Sequence, residues 1–251
     1  MTQRPTERFT GRADAYARAR PDYPQAVLDT LRERCGLGPG MTVADMGAGT
    51  GIFSRQLAQT GAHVMAVEPN DDMRSHIEPA PNLVPWRGTA EHTGLPSGTV
   101  HLVTAAQAFH WFEPQATRSE WRRILVPPGW VALLWNTRVT DPGTLHGAML
   151  DLMYEFARRR LGPGTDLDQT RSNADLALEY DLKAQTFPHS WTVDRDAFIA
   201  NACSGSFVPK AGEVLFEAFV KELGELFDRF VPSGPAILEY RTELYLGKLL
   251  A

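Results

Sequence analysis

Cysteine is scarce in this chain of 251 residues, which contains only Cys35 and Cys203. Two cysteines provide neither a disulfide framework nor a cluster of metal ligands, and we expect no metal site. Long apolar runs are also missing, since the longest covers residues 130–135 and a membrane helix needs roughly 20 residues. Residues 1–5 lack the apolar stretch of a signal peptide. We therefore expect a cytoplasmic protein that does not bind a membrane.

Basic charge is not in excess either, because 25 Lys and Arg residues stand against 30 Asp and Glu residues, for a net charge of −5. Tight nucleic-acid binding depends on neutralising phosphates with basic side chains, so this balance argues against a nucleic-acid partner. The hydrophobic content of 43% is enough for one substantial core in a single α/β domain. A small molecule is the expected partner, and the sequence does not indicate an oligomeric state.

Residues 43–51, Val-Ala-Asp-Met-Gly-Ala-Gly-Thr-Gly, carry the strongest functional signal. The apolar residues at the start are typical of a buried parallel strand, and the alternate glycines allow a tight turn against a ligand. A helix predicted from Ile52 onward would point its free N–H groups and positive dipole end at that ligand. The pattern predicts a site for a polar, nucleoside-like ligand. Its expected contacts are Asp45, Gly47, Ala48, Gly49 and Gly51.

The spacing distinguishes this loop from a dinucleotide fingerprint, which reads G-x-G-x-x-G. Counting from Gly47, the third glycine of that fingerprint would fall on Ile52, which is too bulky for the role. A nicotinamide-dependent oxidoreductase is therefore disfavoured. A second acid, Glu68, ends the apolar run of residues 62–67. A carboxylate at the tip of the second strand is where a nucleotide-binding sheet holds the ribose diol.

These motifs resemble those of class I S-adenosylmethionine-dependent methyltransferases. In that family the Asp-x-Gly-x-Gly-x-Gly loop cradles the amino acid part of the cofactor, and the acid after the second strand holds the ribose hydroxyls. The resemblance continues in the family's order through residues 67–73, 88–96, 100–107 and 120–135, although Trp130 replaces the usual second glycine of one turn. It implies S-adenosylmethionine as the cofactor. The further cofactor contacts that it implies are Glu68, Pro69, Met73, Ala90, Glu91 and Gln107.

The segment of residues 16–24 resembles the N-terminal element of methyltransferases related to those of quinone biosynthesis and trans-aconitate methylation. In those proteins a Tyr and an Arg close over the cofactor near its carboxylate, which implies cofactor contacts for Tyr16 and Arg20. A guanidinium suits this role because it pairs bidentately with a carboxylate. The alternative is a surface arm that only packs on the sheet.

A histidine surrounded by aromatic residues follows the fourth predicted strand, within residues 107–112. Ligands of open α/β sheets bind beyond the carboxyl ends of the strands, so this segment is expected to face the transferred methyl group. We predict His110 as a general base because its reference pKa of about 6.5 lies near neutral pH. The alternative is a packed histidine that shapes the pocket, and the neighbouring aromatic residues could equally be core. The predicted substrate-binding residues are Tyr23, Phe109, Trp111, Trp135 and Arg138, the last as a partner for an anionic substrate.

The alternation of strand and helix patterns predicts an α/β fold, with a doubly wound, mostly parallel, seven-stranded sheet of the Rossmann-like methyltransferase type. The predicted strands cover residues 42–46, 62–68, 82–87, 100–106, 130–136, 186–193 and 239–247. The predicted parts of the domain are an N-terminal cap (1–24), a cofactor-binding core (25–138), a helical substrate lid after strand five (139–210), and a C-terminal helix and strand (211–251).

The sequence as a whole predicts methyl transfer from S-adenosylmethionine to a small-molecule acceptor, by O- or C-methylation of a carboxylate, phenol or enol. One alternative is a tRNA-modifying methyltransferase, which the acidic charge balance disfavours. The other is a non-catalytic S-adenosylmethionine-binding protein. The intact glycine loop and Glu68, together with the histidine-bearing segment, weigh against it.

Overall fold

The computed structural model describes residues 20–162 and 182–249. Tyr16 and residues 163–181 of the predicted lid lie outside the described residues. The strands are β1 (Thr42–Met46), β2 (His63–Val67), β3 (Leu83–Trp86), β4 (Val100–Ala106), β5 (Leu125–Arg138), β6 (Lys183–Val193) and β7 (Ala236–Lys248). The helices are α1 (Gln25–Cys35), α2 (Ile52–Gln59), α3 (Asp71–Ser75), α4 (Pro114–Ile124), α5 (Leu145–Leu161), α6 (Arg195–Cys203) and α7 (Phe216–Phe230).

The seven strands form one sheet in the order β3-β2-β1-β4-β5-β7-β6. The pairings among β1 to β5 are parallel, whereas β7 runs antiparallel to both β5 and β6. The sheet is therefore mixed, which corrects the expectation of a mostly parallel sheet. The physical reason is that hydrophobic patterning identifies a strand but carries no information about its direction.

The strand order reverses at β1, which lies between β2 and β4. In open α/β sheets the crevice beyond the carboxyl ends of the strands at such a point is where ligands bind. β1 and β4 have the predicted bounds, and Val43 to Met46 of β1 are buried. This burial explains the apolar run before the glycine loop and places that loop at the crevice.

Two hydrophobic clusters cover the two faces of the sheet. Val43 and Leu102 belong to one cluster, while their chain neighbours Ala44 and Val103 belong to the other. Because side chains alternate between faces along a strand, β1 and β4 pack against a hydrophobic cluster on each face of the sheet. The sheet thus forms a rigid support for the loops that leave its carboxyl edge.

The described helices of the C-terminal half form a third cluster. Buried side chains of α5, α6 and α7 pack there against the start of β7, including Leu238 and Tyr240. Thr144 and Asp194 cap α5 and α6 by accepting backbone N–H groups, as short polar side chains do at helix starts. The predicted role of this helical layer as a lid over the acceptor stays a prediction. Across the two described stretches, every helix is too short or too polar to cross a bilayer.

Candidate cofactor and acceptor site

The glycine loop between β1 and α2 passes unusually close to the segment after β4. Gly47 and Gly49 have φ of 64° and 58°, in the left-handed region that favours glycine. A Cβ atom added to Gly47 would lie 2.7 Å from the Cβ of Ala108 and 3.2 Å from the ring of Phe112. The fold therefore requires glycine at position 47, both for its left-handed backbone conformation and for the close approach of Ala108 and Phe112.

Asp45 is a buried carboxyl that connects three elements. Its Oδ2 accepts a hydrogen bond from Ser54 of α2 and its Oδ1 accepts one from Thr104 of β4, each at 2.6 Å. Burial raises the pKa of Asp45 to about 6, although both hydroxyl donors lower it. Asp45 thus lies at the predicted place, and its carboxyl holds the start of the glycine loop between α2 and β4.

Glu68 follows β2 and is bonded to the loop after β1. Its Oε2 accepts the backbone N–H of Gly49 at 2.9 Å, and its Oε1 accepts the backbone N–H of Asn70 at 2.8 Å. Burial raises the pKa of Glu68, while these two N–H donors lower it. A carboxylate oxygen can accept more than one hydrogen bond, so both oxygens retain capacity for ligand hydroxyls.

Two cavities meet at the glycine loop and share Gly47, Gly49, Ala106 and Gln107 as walls. We name them the Glu68 cavity and the Arg138 cavity after one wall residue of each. They hold about 780 Å³ and about 730 Å³ of empty space respectively, part of which is continuous with open solvent. Among the described residues there is no group of three or more His, Cys, Asp or Glu side chains that could hold a metal ion.

Most predicted cofactor residues come together at these two cavities. Those at the Glu68 cavity are Gly47, Gly49, Glu68, Pro69, Met73, Ala90, Glu91 and Gln107. Those at the Arg138 cavity are Arg20, Asp45, Gly47, Ala48, Gly49 and Gln107. Gly51 is not among the residues that line either cavity and instead caps α2, with its Cα beside Ile77.

The predicted substrate-binding residues are divided between the cavities and the core. Tyr23 and Arg138 line the Arg138 cavity, whereas Trp111 lines the Glu68 cavity. Phe109 and Trp135 are only 1% and 4% exposed and belong to a core cluster of the sheet. Substrate contact by these two residues stays a prediction, and packing against other core side chains already buries their rings.

His110 lies beside the core residue Trp135, whose indole Nε1–H donates to His110 Nδ1 across a long 3.4 Å. Burial lowers the pKa of His110 to about 4, so the ring is neutral at pH 7. His110 is not among the described residues that line the two cavities. Its role as a general base stays a prediction.

Three wall residues of the Arg138 cavity, Thr50, Asn136 and Tyr240, had no predicted role. The Thr50 hydroxyl is buried and has no hydrogen-bond partner among the described residues. Gln107 is the non-glycine residue with a left-handed φ, 58°, among the described residues, and its Nε2 donates to the Asn136 carbonyl at 3.0 Å. Such backbone strain concentrates at functional sites. Tyr240 of β7 pairs with Arg138 of β5 across the strands, which no short-range motif could indicate.

Comparisons with known proteins agree with this geometry. Residues 44–133 match the protein family described as a methyltransferase domain. A relative from Mycobacterium tuberculosis, described as an uncharacterized methyltransferase, is 38% identical over 131 residues, 52% of each chain. The chain spans about half the length of the curated relatives that it matches.

Solved structures extend the likeness in fold over most of the chain. A protein from Anaeromyxobacter dehalogenans, described as a type II methyltransferase, aligns with a TM-score of 0.64 at 22% identity, covering 92% of this chain and 98% of its own. An S-adenosylmethionine-dependent methyltransferase from Aquifex aeolicus aligns with a TM-score of 0.53 at 15% identity, covering 95% and 98%. Residues 44–133 are therefore similar to a methyltransferase domain, and the chain has the fold of the aligned methyltransferase structures.

Proposed function

We propose that this protein transfers a methyl group from S-adenosylmethionine to a small-molecule acceptor. The bond between the Gly49 N–H and the Glu68 carboxylate carries the proposal, because it fixes the glycine loop where the two cavities meet. A cofactor bound in the Glu68 cavity would then present its reactive end toward the Arg138 cavity.

Three features of the site fit this cofactor. The Glu68 oxygens have capacity for the ribose hydroxyls, and Gly47 and Gly49 line both cavities. The buried Thr50 hydroxyl, which has no partner among the described residues, is available to the amino acid part. Met73 and Ala90 give the Glu68 cavity apolar walls for the base. The cofactor supplies a methyl group that is already activated on a sulfonium.

The protein's own contribution to such a reaction is mainly proximity and alignment, which can lower a barrier by roughly 7–11 kcal/mol. Tyr23 is suited to orienting an acceptor in the Arg138 cavity, because Gln56 holds its backbone with two hydrogen bonds and its ring packs on Phe53. A carboxylate acceptor is ionised at neutral pH and needs no base, whereas a phenol or an enol would benefit from one. His110 is the predicted base for the second case.

Thermal unfolding with separate additions of S-adenosylmethionine, S-adenosylhomocysteine and NAD tests the cofactor. A ligand at about 100 times its Kd adds roughly 2.7 kcal/mol, which raises the Tm by about 5–10 °C for a domain of this size. Stabilisation by the two sulfur nucleosides and not by NAD is expected. A shift with NAD alone, or no shift, would contradict the proposal.

Transfer of a labelled methyl group then tests the acceptor. We expect label in small acids, phenols or enols incubated with the protein and the cofactor. Label in tRNA instead would support the nucleic-acid alternative. Cofactor binding without any transfer to either class would support a non-catalytic binding protein.

A further inference from the structure

Arg138 presents a guanidinium to the cavity wall without a carboxylate partner. Its Nη2 donates to Asn201 Oδ1 at 3.2 Å, while its Nε is buried and has no hydrogen-bond partner among the described residues. Within residues 20–162 and 182–249, no carboxylate oxygen lies within 4.0 Å of its nitrogens. Burial accordingly lowers the pKa of Arg138.

The groups around Arg138 add positive charge and hydrogen-bond donors. Arg20 lines the same cavity, and its positive charge repels that of Arg138 and lowers the pKa of Arg138 further. The Tyr240 phenol lies opposite Arg138 across the strand pair, and burial raises its pKa, so it remains protonated at neutral pH. His146 packs edge-on against Tyr240 and, with a pKa lowered to about 4, adds no charge at pH 7.

Asp45 is the acidic residue among the described residues that line this cavity, and both of its oxygens accept hydrogen bonds from hydroxyl groups. The exposed Asp22 carboxylate does not line the cavity and lies 3.4 Å from His189. A desolvated guanidinium without a counter-charge is unfavourable, and a planar carboxylate is the ligand that best offsets this cost.

We propose that the methyl acceptor carries a carboxylate, which binds to Arg138 and the Tyr240 hydroxyl beside the charge of Arg20. This inference rests on the proposed function and names its substrate class. The methionine part of the cofactor also ends in a carboxylate, so the same chemistry has two sources. We assign Arg138 to the acceptor because Arg138 lies on β5, whereas the glycine loop and Thr50 line the part of the wall that follows β1.

Calorimetric titration of the protein saturated with S-adenosylhomocysteine tests this site, with succinate as the anionic probe and succinamide as its neutral counterpart. We expect saturable succinate binding and none of succinamide. Arg138→Gln should weaken succinate binding by at least about tenfold, as loss of a charged hydrogen bond does. Tyr240→Phe should weaken it less, and Arg34→Gln, at an exposed position of α1, should leave it unchanged.

The affinity for S-adenosylhomocysteine separates the two carboxylates. It should change little in Arg138→Gln, and a loss parallel to that of succinate would assign Arg138 to the cofactor and overturn the inference. Equal succinate binding by Arg138→Gln and the wild type, or no binding at millimolar concentrations, would overturn it as well. If Arg138→Gln does not fold, Arg138→Lys keeps the charge without the planar fork and should still weaken succinate binding.

Failure of the proposed function gives a different result. A protein that binds neither S-adenosylmethionine nor S-adenosylhomocysteine would contradict that function. The succinate titration on the ligand-free protein, with the same variants, would then still report whether Arg138 and Tyr240 form an anion site.

Discussion

The backbone N–H of Gly49 donates to Oε2 of Glu68 at 2.9 Å, which ties the loop after β1 to the end of β2. The second carboxylate oxygen of Glu68 accepts the Asn70 N–H just before α3. One buried side chain therefore sets the distance between two loops that both line the Glu68 cavity.

Glu68→Gln should weaken binding of S-adenosylhomocysteine by about tenfold to a hundredfold, since hydrogen bonds to charged groups contribute roughly 1.5–3 kcal/mol. The amide places an NH₂ group where one backbone N–H now finds an oxygen, and it removes the charge. Isothermal titration calorimetry measures the change, with Glu78→Gln at an exposed position as the control. Equal affinities for Glu68→Gln and the wild type would rule out a cofactor role for Glu68.

Gly47→Ala should destabilise the protein more than Gly98→Ala. The two glycines have nearly the same φ, 64° and 63°, but a Cβ at Gly47 meets Ala108 at 2.7 Å, whereas one at Gly98 meets no atom of the described residues within 4 Å. The left-handed conformation costs each variant roughly 1–2 kcal/mol, and the clash adds about 1–3 kcal/mol at position 47. Urea unfolding measures both changes.

A similar loss of stability in the two glycine variants would show that the loop and the segment after β4 separate without cost. In that case the close approach of Gly47 to Ala108 and Phe112 would not constrain the cavity wall. Binding of S-adenosylhomocysteine should follow the same order, with Gly98→Ala close to the wild type.

Local sequence signals predicted the strands that carry the glycine loop and Glu68. β1 and β4 have the predicted bounds, and Glu68 follows β2 as expected. These predictions succeed because the apolar run, the glycines and the acid lie within about one βαβ unit, where chain order fixes spatial neighbours. The contacts of Gly47 could not be predicted in detail, since its close neighbours come from the segment after β4.

The acceptor side depends on contacts that are distant in sequence. Arg138 and Tyr240 meet only because β7 inserts antiparallel beside β5, and strand direction is not encoded in periodicity. The sequence also does not show which aromatic residues after β4 face a cavity, because Phe109 and Trp111 lie in the same short aromatic segment. Only the three-dimensional packing separates the core ring of Phe109 from the cavity wall at Trp111.

Glu120 should stabilise the protein at neutral pH and lose this effect in acid. Its Oε1 accepts the Thr93 N–H at 2.8 Å, and its carboxylate pairs with Arg123, which lowers the pKa of Glu120 from 4.5 to about 2. Because the folded-state pKa is depressed, the stabilisation is complete above pH 4.5 and declines as the pH falls toward 2.

Urea unfolding of the wild type and of Glu120→Gln between neutral and acidic pH measures this effect. The wild type should be more stable at pH 7, and the difference should shrink in acid as the wild-type carboxylate takes up its proton. The exposed Glu78→Gln variant provides the comparison. A difference that is constant across the pH range would contradict the depressed pKa.

His110 should titrate near pH 4 and not near its ordinary value. Burial lowers its pKa from 6.5 to about 4, so the folded protein excludes a proton that the unfolded chain binds between these values. Stability therefore rises with pH over this window, by the linkage of proton binding to folding. A pH titration of the His110 ring signals by NMR, assigned with His110→Asn, measures the pKa directly.

The same pKa makes a prediction for the reaction. If His110 is the general base, the pH profile of kcat/KM should have no inflection near 6.5 from this residue, because its ring is already neutral there. The acid limb should appear near pH 4 and be absent from His110→Asn, whose residual activity should be much lower. A variant that retains wild-type kcat would instead assign His110 to packing against Trp135, and it would favour an acceptor that is ionised before it binds.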